Sequence, residues 1–121
     1  MITSFRDLKA WQKAMDLSVE IYELTRGFPR EEIFGLASQL RRSAVSIPSN
    51  IAGGQGRSGT REFQQFLSVA RGSLCEPQTE LEIARRAGLG SPKSIDDAIE
   101  LSHEVGKLLF ALLRSLKAKQ P

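Results

Sequence analysis

The chain holds one histidine, His103, and one cysteine, Cys75, so a nucleophile–base pair has to be built from these two or from a serine that borrows the same imidazole. Nothing around Cys75 resembles a nucleophile elbow, and a lone cysteine in a helical apolar pattern reads as a small buried hydrophobe. Glu100-Leu101-Ser102-His103 spells Glu-x-x-His once. A di-iron bundle needs that pair on two helices with further inward carboxylates, and there is no second copy. Gly54-Gln55-Gly56-Arg57-Ser58-Gly59 matches G-x-G-x-x-G, but a dinucleotide site requires a strand ahead of it, and a helical pattern stands there instead. Nor is it a Walker loop, because Thr60-Arg61 follows Gly59 where Lys-Ser/Thr should. The segment reads as a flexible connection between helices. With Arg57 and Arg61 near a helix start, it also has donors able to hold a phosphate loosely. The expectation is no catalytic residue, no metal and no cofactor.

The second pattern is polar side chains on segments that should face a core. Gln39, Ser46 and Asn50 flank the apolar face of one helix, and Ser73 and Glu76 sit on another, beside Arg71. Buried polar groups cost stability unless they are paired. Gln39, Ser46, Asn50, Ser73 and Glu76 are therefore read as an internal network that fixes helix register, with a subunit interface or ligand groove as the alternatives. Arg41 or Arg42 is expected to pair with Glu76 across helices. Asn50 is expected to bond a carbonyl left free by Pro48 or Pro77.

Four apolar-periodic segments must position these groups, and the breaks between them are Gly27-Phe28-Pro29, Gly53 to Gly59, and Gly88-Leu89-Gly90-Ser91-Pro92. The first runs from about Asp7 to Arg26, with Ser4 and Asp7 as an acidic capping box and Leu8, Trp11, Met15, Ile21, Tyr22 and Leu24 as its stripe. The second runs from about Arg30 to Ala52 along Ile33, Leu36, Ala37, Leu40, Ala44, Ile47 and Ile51. The third runs from about Thr60 to Ala87 along Phe63, Phe66, Leu67, Ala70, Leu74, Leu81 and Ala84, and Gly72-Ser73 offers another helix a close approach. The fourth starts at Pro92 or Ile95 and runs to Lys117. Ser91-Pro92 is an N-cap and first-turn pair, and Ser94 with Asp97 is a competing start. Its stripe, Ile95 through Leu116, is wider than one bundle seam needs, so surplus apolar surface calls for a second copy. Its end is basic: Arg114, Lys117 and Lys119. No stretch alternates as a strand does. The fold class is all-α: one domain over residues 1–121, an antiparallel up-down-up-down four-helix bundle with helices 2 and 3 kinked at Pro48 and Pro77.

Length and composition agree. The 121 residues suffice for one core, 40% are apolar, 26% are charged, and the net charge is +3. That balance permits contact with nucleic acid without demanding it. A single cysteine excludes an internal disulfide. No signal pattern or membrane-length apolar run is present, so a cytoplasmic location is expected.

Several stretches carry a resemblance that covers nearly the whole chain. They include Phe5-Arg6-Asp7-Leu8, Trp11-Gln12-Lys13-Ala14, Tyr22-Glu23-Leu24-Thr25 and Phe28-Pro29. Gly35-Leu36, Gln39 through Ala52, Phe63 through Leu67 and Ala70-Arg71-Gly72-Ser73-Leu74 continue it. With these residues the chain resembles the small four-helix bundle proteins encoded within intervening sequences of bacterial 23S ribosomal RNA genes. Two positions depart from the family pattern: Gly53 stands where an acid is usual, and Pro77 where a helix-forming apolar residue is usual. The resemblance implies a ring-like homo-oligomer, a pentamer, with no established enzymatic activity. Similar pentameric bundles act as accessory factors to retroelement reverse transcriptases and hold nucleic acid on a basic surface. By that analogy the partners are further copies of this chain and RNA or DNA. The candidate contacts are Arg41, Arg42, Arg57, Arg61, Arg71, Arg85 and Arg86, some of them engaged in internal pairs. The competing expectation is a protein-interaction scaffold whose arginines serve only stability.

Overall fold

The computed structural model describes residues 4–57 and 59–118, so Ser58 of the glycine segment and Lys119 of the basic tail lie outside the described residues. Five α-helices and two 3-10 turns account for the elements, and no strand occurs among the described residues. They are α1 (Lys9–Thr25), α2 (Leu36–Gln55), α3 (Thr60–Ser73), α4 (Cys75–Ala87) and α5 (Pro92–Ala118). α3 and α4 follow one another as a single rod, so the architecture is a four-helix bundle. Each rod packs on its neighbours in sequence, α5 closes against α1, and the diagonal rods stay apart.

The core follows the helical period. Ala14, Leu17 and Ile21 of α1 are fully buried, as are Leu40, Ala44, Ile47 and Ile51 of α2. They meet Leu67, Ala70, Leu81 and Ala84 of the third rod and Ile95, Ala98, Val105 and Leu109 of α5. Two residues of the expected first stripe, Met15 and Tyr22, face outward instead. The wide stripe of α5 has an internal cause. α5 packs on α1, α3 and α4, and Ile99, Leu101, Leu108, Leu112, Leu113 and Leu116 rest partly buried against the core. Exposed large apolar side chains occur on several elements, and on α1 Met15, Val19 and Tyr22 form a row at four- and three-residue spacing.

Helix ends correct several expectations. Ser4 accepts from the Arg6 N–H at 3.2 Å, so it caps a 3-10 turn (Phe5–Asp7) and not α1. α2 starts at Leu36 and not near Arg30, because Arg30–Glu32 form a separate 3-10 turn and the Glu32 carboxylate accepts from the Leu36 N–H at 3.1 Å. Ile33, expected in the core, is exposed there. α5 begins at Pro92, and the Ser91 hydroxyl accepts from the Ser94 N–H at 3.4 Å. Gly88 ends α4 in the left-handed region at φ 74°, which favours glycine.

The two prolines act differently. α2 runs on through Pro48, which is buried. A proline there leaves the Ala44 carbonyl without its helical donor, and the Ser18 hydroxyl of α1, shared with the Ala14 carbonyl at 3.0 Å, reaches that oxygen at 3.2 Å. The third rod is interrupted at Leu74, three residues before Pro77, which then sits in the first turn of α4, where a missing N–H is tolerated. Close approach of helices also falls elsewhere than expected. A Cβ on Gly72 would meet nothing within 4 Å, whereas one on Gly54 would come within 2.5 Å of the Phe66 Cβ. Gly54 is the position where α2 and α3 require a hydrogen in place of a side chain.

Candidate functional site

The structure scatters the seven candidate arginines. Arg85 lies 3.3 Å from Asp96 and 4.0 Å from Glu82, and Arg86 bonds Glu82 at 3.3 Å. Both are neutralised locally. The Arg41 Nε donates to the Thr25 hydroxyl at 2.9 Å, and its guanidinium lies 5.0 Å from the Tyr22 ring centroid, so it fastens α2 to α1. Arg57 rests over Phe66 at 5.2 Å. Arg42 and Arg61 are exposed. Arg71 alone joins a larger cationic group.

The proposed polar network is mostly local. The Ser46 hydroxyl donates to the Ser43 carbonyl and the Asn50 amide to the Ser46 carbonyl, both at 2.7 Å and both within α2. Asn50 therefore does not reach the carbonyl that Pro48 frees. Gln39 and Glu76 are exposed, Ser73 is half-buried, and neither Arg41 nor Arg42 pairs with Glu76 among the described ion pairs. The cross-helix bonds come from other residues: Ser43 to the Glu80 carboxylate at 2.7 Å and Gln78 to Ser102 at 3.2 Å. Burial pushes the Glu80 carboxyl above its ordinary range. The Ser43 hydroxyl opposes that shift, and Glu76 adds to it.

The coherent site is a groove between the third rod and α5. Lys107, Phe110, Arg114 and Lys117 recur at three- and four-residue steps, which places them along one face of α5. Arg71 of α3 stands opposite, its guanidinium carbon 4.8 Å from the Phe110 ring centroid, and Arg114 lies 6.0 Å from the same centroid. Phe110 remains 44% exposed, high for a large aromatic. Gln64, Ser68 and Leu113 complete one end of the groove, and Leu74, Gln78 and Gly106 lead along it to His103. Arg71 borders both stretches, Lys107 lines one, and Arg114 and Lys117 line the other; among the described residues no carboxylate lines either. Sequence reading had found only Arg71 and, as a basic tail, Arg114 and Lys117. The usable signal was the helical spacing of Lys107, Phe110, Arg114 and Lys117.

The opposite flank of α5 is acidic. Asp16, Glu20 and Glu23 of α1 line a shallow groove with Asp97 of α5. Glu20 titrates above its ordinary value near 4.5, first because it is partly desolvated and then because Asp97, Glu23 and Asp16 repel its charge, with Lys93 opposing. Lys93 donates to Asp97 at 2.9 Å, a bond that raises the Lys93 pKa.

Among the described residues no group of three or more His, Cys, Asp or Glu side chains could hold a metal ion. Cys75 is exposed and not a buried hydrophobe, because the buried rhythm Ala70, Leu74, Pro77, Leu81 continues across the α3–α4 junction and leaves position 75 off that stripe. It shares a groove with the exposed His103, but no described hydrogen bond orients that imidazole. Gly54 and Gln55 of the glycine-rich segment belong to α2, which shortens the connection to α3. No described helix is long and apolar enough to cross a membrane.

Comparison with known proteins supplies a frame. The family model described as "23S rRNA-intervening sequence protein" matches residues 6–111. A solved structure of a protein of unknown function from the S23 ribosomal protein family of Bacteroides thetaiotaomicron superposes with a TM-score of 0.76 at 22% identity, covering 86% of this chain and 97% of that one. No curated protein is a significant sequence match.

Proposed function

This chain belongs to the 23S rRNA-intervening sequence protein family, and on that footing we propose that it is a non-enzymatic, homo-oligomeric bundle of the cytoplasm that holds RNA or DNA on its α3–α5 face. The observation that carries this reading is the groove in which Arg71, Lys107, Arg114 and Lys117 border Phe110 and no described carboxylate lines the walls. Phosphates supply the charge that such a groove lacks, and guanidinium groups bind them in paired hydrogen bonds. Contact through phosphates carries no sequence choice.

Assembly strengthens weak contacts. The exposed row Met15, Val19 and Tyr22 on α1 is the apolar surface that further copies would cover. In a pentamer, five chains of net charge +3 each carry about +15, and linked sites bind with greater avidity. Filter binding of structured RNA and of single-stranded DNA against salt, with molar mass from light scattering, tests both parts. Retention that weakens steeply as salt rises, on a particle heavier than one chain, is the expected result. No retention of either at low ionic strength removes the nucleic-acid reading.

One observation favours the alternative of a protein-interaction scaffold: Phe34 is 97% exposed beside the exposed Ile33, an apolar anchor with nothing to cover it. On that reading no nucleic acid is retained, and Arg57→Ala and Arg61→Ala have nothing to lose.

A further inference from the structure

We infer that the α3–α5 groove takes unpaired strands in preference to duplex, with Phe110 as the surface on which a base stacks; this deepens, and rests on, the reading of that face as a nucleic-acid site. Electrostatics alone would make any phosphate backbone acceptable. The distinguishing feature is an aromatic ring set among the cations. Phe110 is 44% exposed; the Arg71 guanidinium lies over its ring at 4.8 Å and that of Arg114 at 6.0 Å, so the surface offered to a base is the composite of guanidinium and uncovered ring. A guanidinium held near a ring extends the flat polarisable surface and adds charge to it, and bases stack on both kinds of plane.

The groove's layout fits a strand. Lys107 and Lys117 lie on the same face of α5, about 15 Å apart at the helical rise, with Phe110 and Arg114 between them. Cations therefore flank the stacking surface at both ends, where successive phosphates of a short run of nucleotides pass. Gln64 and Ser68 place an amide and a hydroxyl on the opposite wall, within the same groove. A duplex cannot use the ring, because the faces of its bases are already covered by stacking, so it meets the cations alone. Stacking is tolerant of sequence, since every base has a π-face. The class of ligand is single-stranded RNA or DNA, without base selection.

The test is fluorescence anisotropy of the full chain with a labelled oligo(dT) or oligo(U) and with a duplex of equal length, at one salt concentration. The intact protein binds the single strands more tightly. Phe110→Leu lowers single-strand affinity about 5- to 100-fold and leaves duplex affinity unchanged. Because the ring is exposed, the variant keeps its fold, which circular dichroism checks. Phe110→Trp adds an indole to the native Trp11, and the emission gained over the parent is quenched by oligo(dT) and not by duplex. If Phe110→Leu weakens both ligands equally, or duplex binds as well as single strands, the stacking inference falls and the phosphate-binding reading stands. Both fall if neither ligand binds, or if Phe110→Leu changes the molar mass, which would make the groove a contact between copies.

Discussion

The two flanks of α5 are built from the same helix and carry opposite charge. Toward α1, near the helix start, Asp16, Glu20, Glu23 and Asp97 share one groove. Toward α3, near the helix end, Lys107 lines one stretch of groove and Arg114 and Lys117 the next, with Arg71 bordering both. Asp97 and Arg114 are about 25 Å apart at the helical rise, well beyond the screening length of about 8 Å at physiological salt. The two grooves therefore act as separate electrostatic surfaces. A net charge of +3 describes neither; it is the small remainder of a polarised molecule, and it understates what a polyanion meets on the α3 side.

The largest expected effect comes from reversing the basic flank. Arg71→Glu with Arg114→Glu removes two cations and installs two anions where phosphates would lie. Nucleic-acid affinity is expected to fall by more than about 100-fold, since each buried or close charge contact carries on the order of 1–3 kcal/mol. Arg85→Glu with Arg86→Glu is the matched control, equal in charge change: those residues are already paired with Glu82 and Asp96, so affinity is expected to hold. Equal losses in the two pairs of variants, measured by anisotropy, would mean that the bundle binds through diffuse charge and that the groove has no special part.

The acidic flank is expected to act only when screening is weak. Asp16→Asn, Glu20→Gln and Glu23→Gln together remove three negative charges far from the groove. At about 10 mM salt the screening length reaches roughly 30 Å, and the triple variant is expected to bind nucleic acid a few-fold more tightly. At 0.15 M the gain is expected to vanish. A gain that persists at 0.15 M would show that the flanks are coupled, by assembly or by shape, and would end their treatment as independent surfaces.

This polarity was only half legible in the sequence. The four apolar segments, the Ser91-Pro92 start of α5 and the helix running through Pro48 all rest on local periodicity and turn chemistry, which a linear reading sees. Arg71 and Arg114 meet over Phe110 only because α3 and α5 are neighbours, and a separation of 43 positions hides that. The pairing of Arg85 and Arg86 with Glu82 was readable from three- and four-residue spacing, yet both arginines stand among the candidates for binding. Gly54 and Gly72 look alike in sequence; only the crossing of α2 with Phe66 separates the required glycine from the open one. The carbonyl freed by Pro48 was foreseeable, but its donor, Ser18, comes from another helix. Side chains that act across helices were the ones that sequence reading placed wrongly or missed.

The smallest effect concerns what the acidic flank does to its own fold. Glu20 is partly desolvated and has like charges at Asp97 across the groove and at Glu23 and Asp16 on its own helix, and its pKa lies above the ordinary value near 4.5. The folded state then holds the Glu20 proton more tightly than the unfolded chain does. Linkage gives the sign: at about pH 3 and below both states are protonated and Glu20 has no effect on stability, and as pH rises through 4.5 to the raised value the folded state loses ground. Glu20→Gln removes that loss. Like-charge pairs three or four residues apart destabilise a helix by about 0.2–0.5 kcal/mol each, so the variant is expected to be more stable by about 0.5 kcal/mol at pH 7 and equal to the parent at pH 3. Urea denaturation at the two pH values measures it, and the raised Glu80 carboxyl, common to both proteins, cancels in the difference. A variant less stable at pH 7 would show that the Glu20 carboxylate makes a favourable contact outweighing the repulsion. The groove toward α1 would then be held together by its charges in place of merely tolerating them.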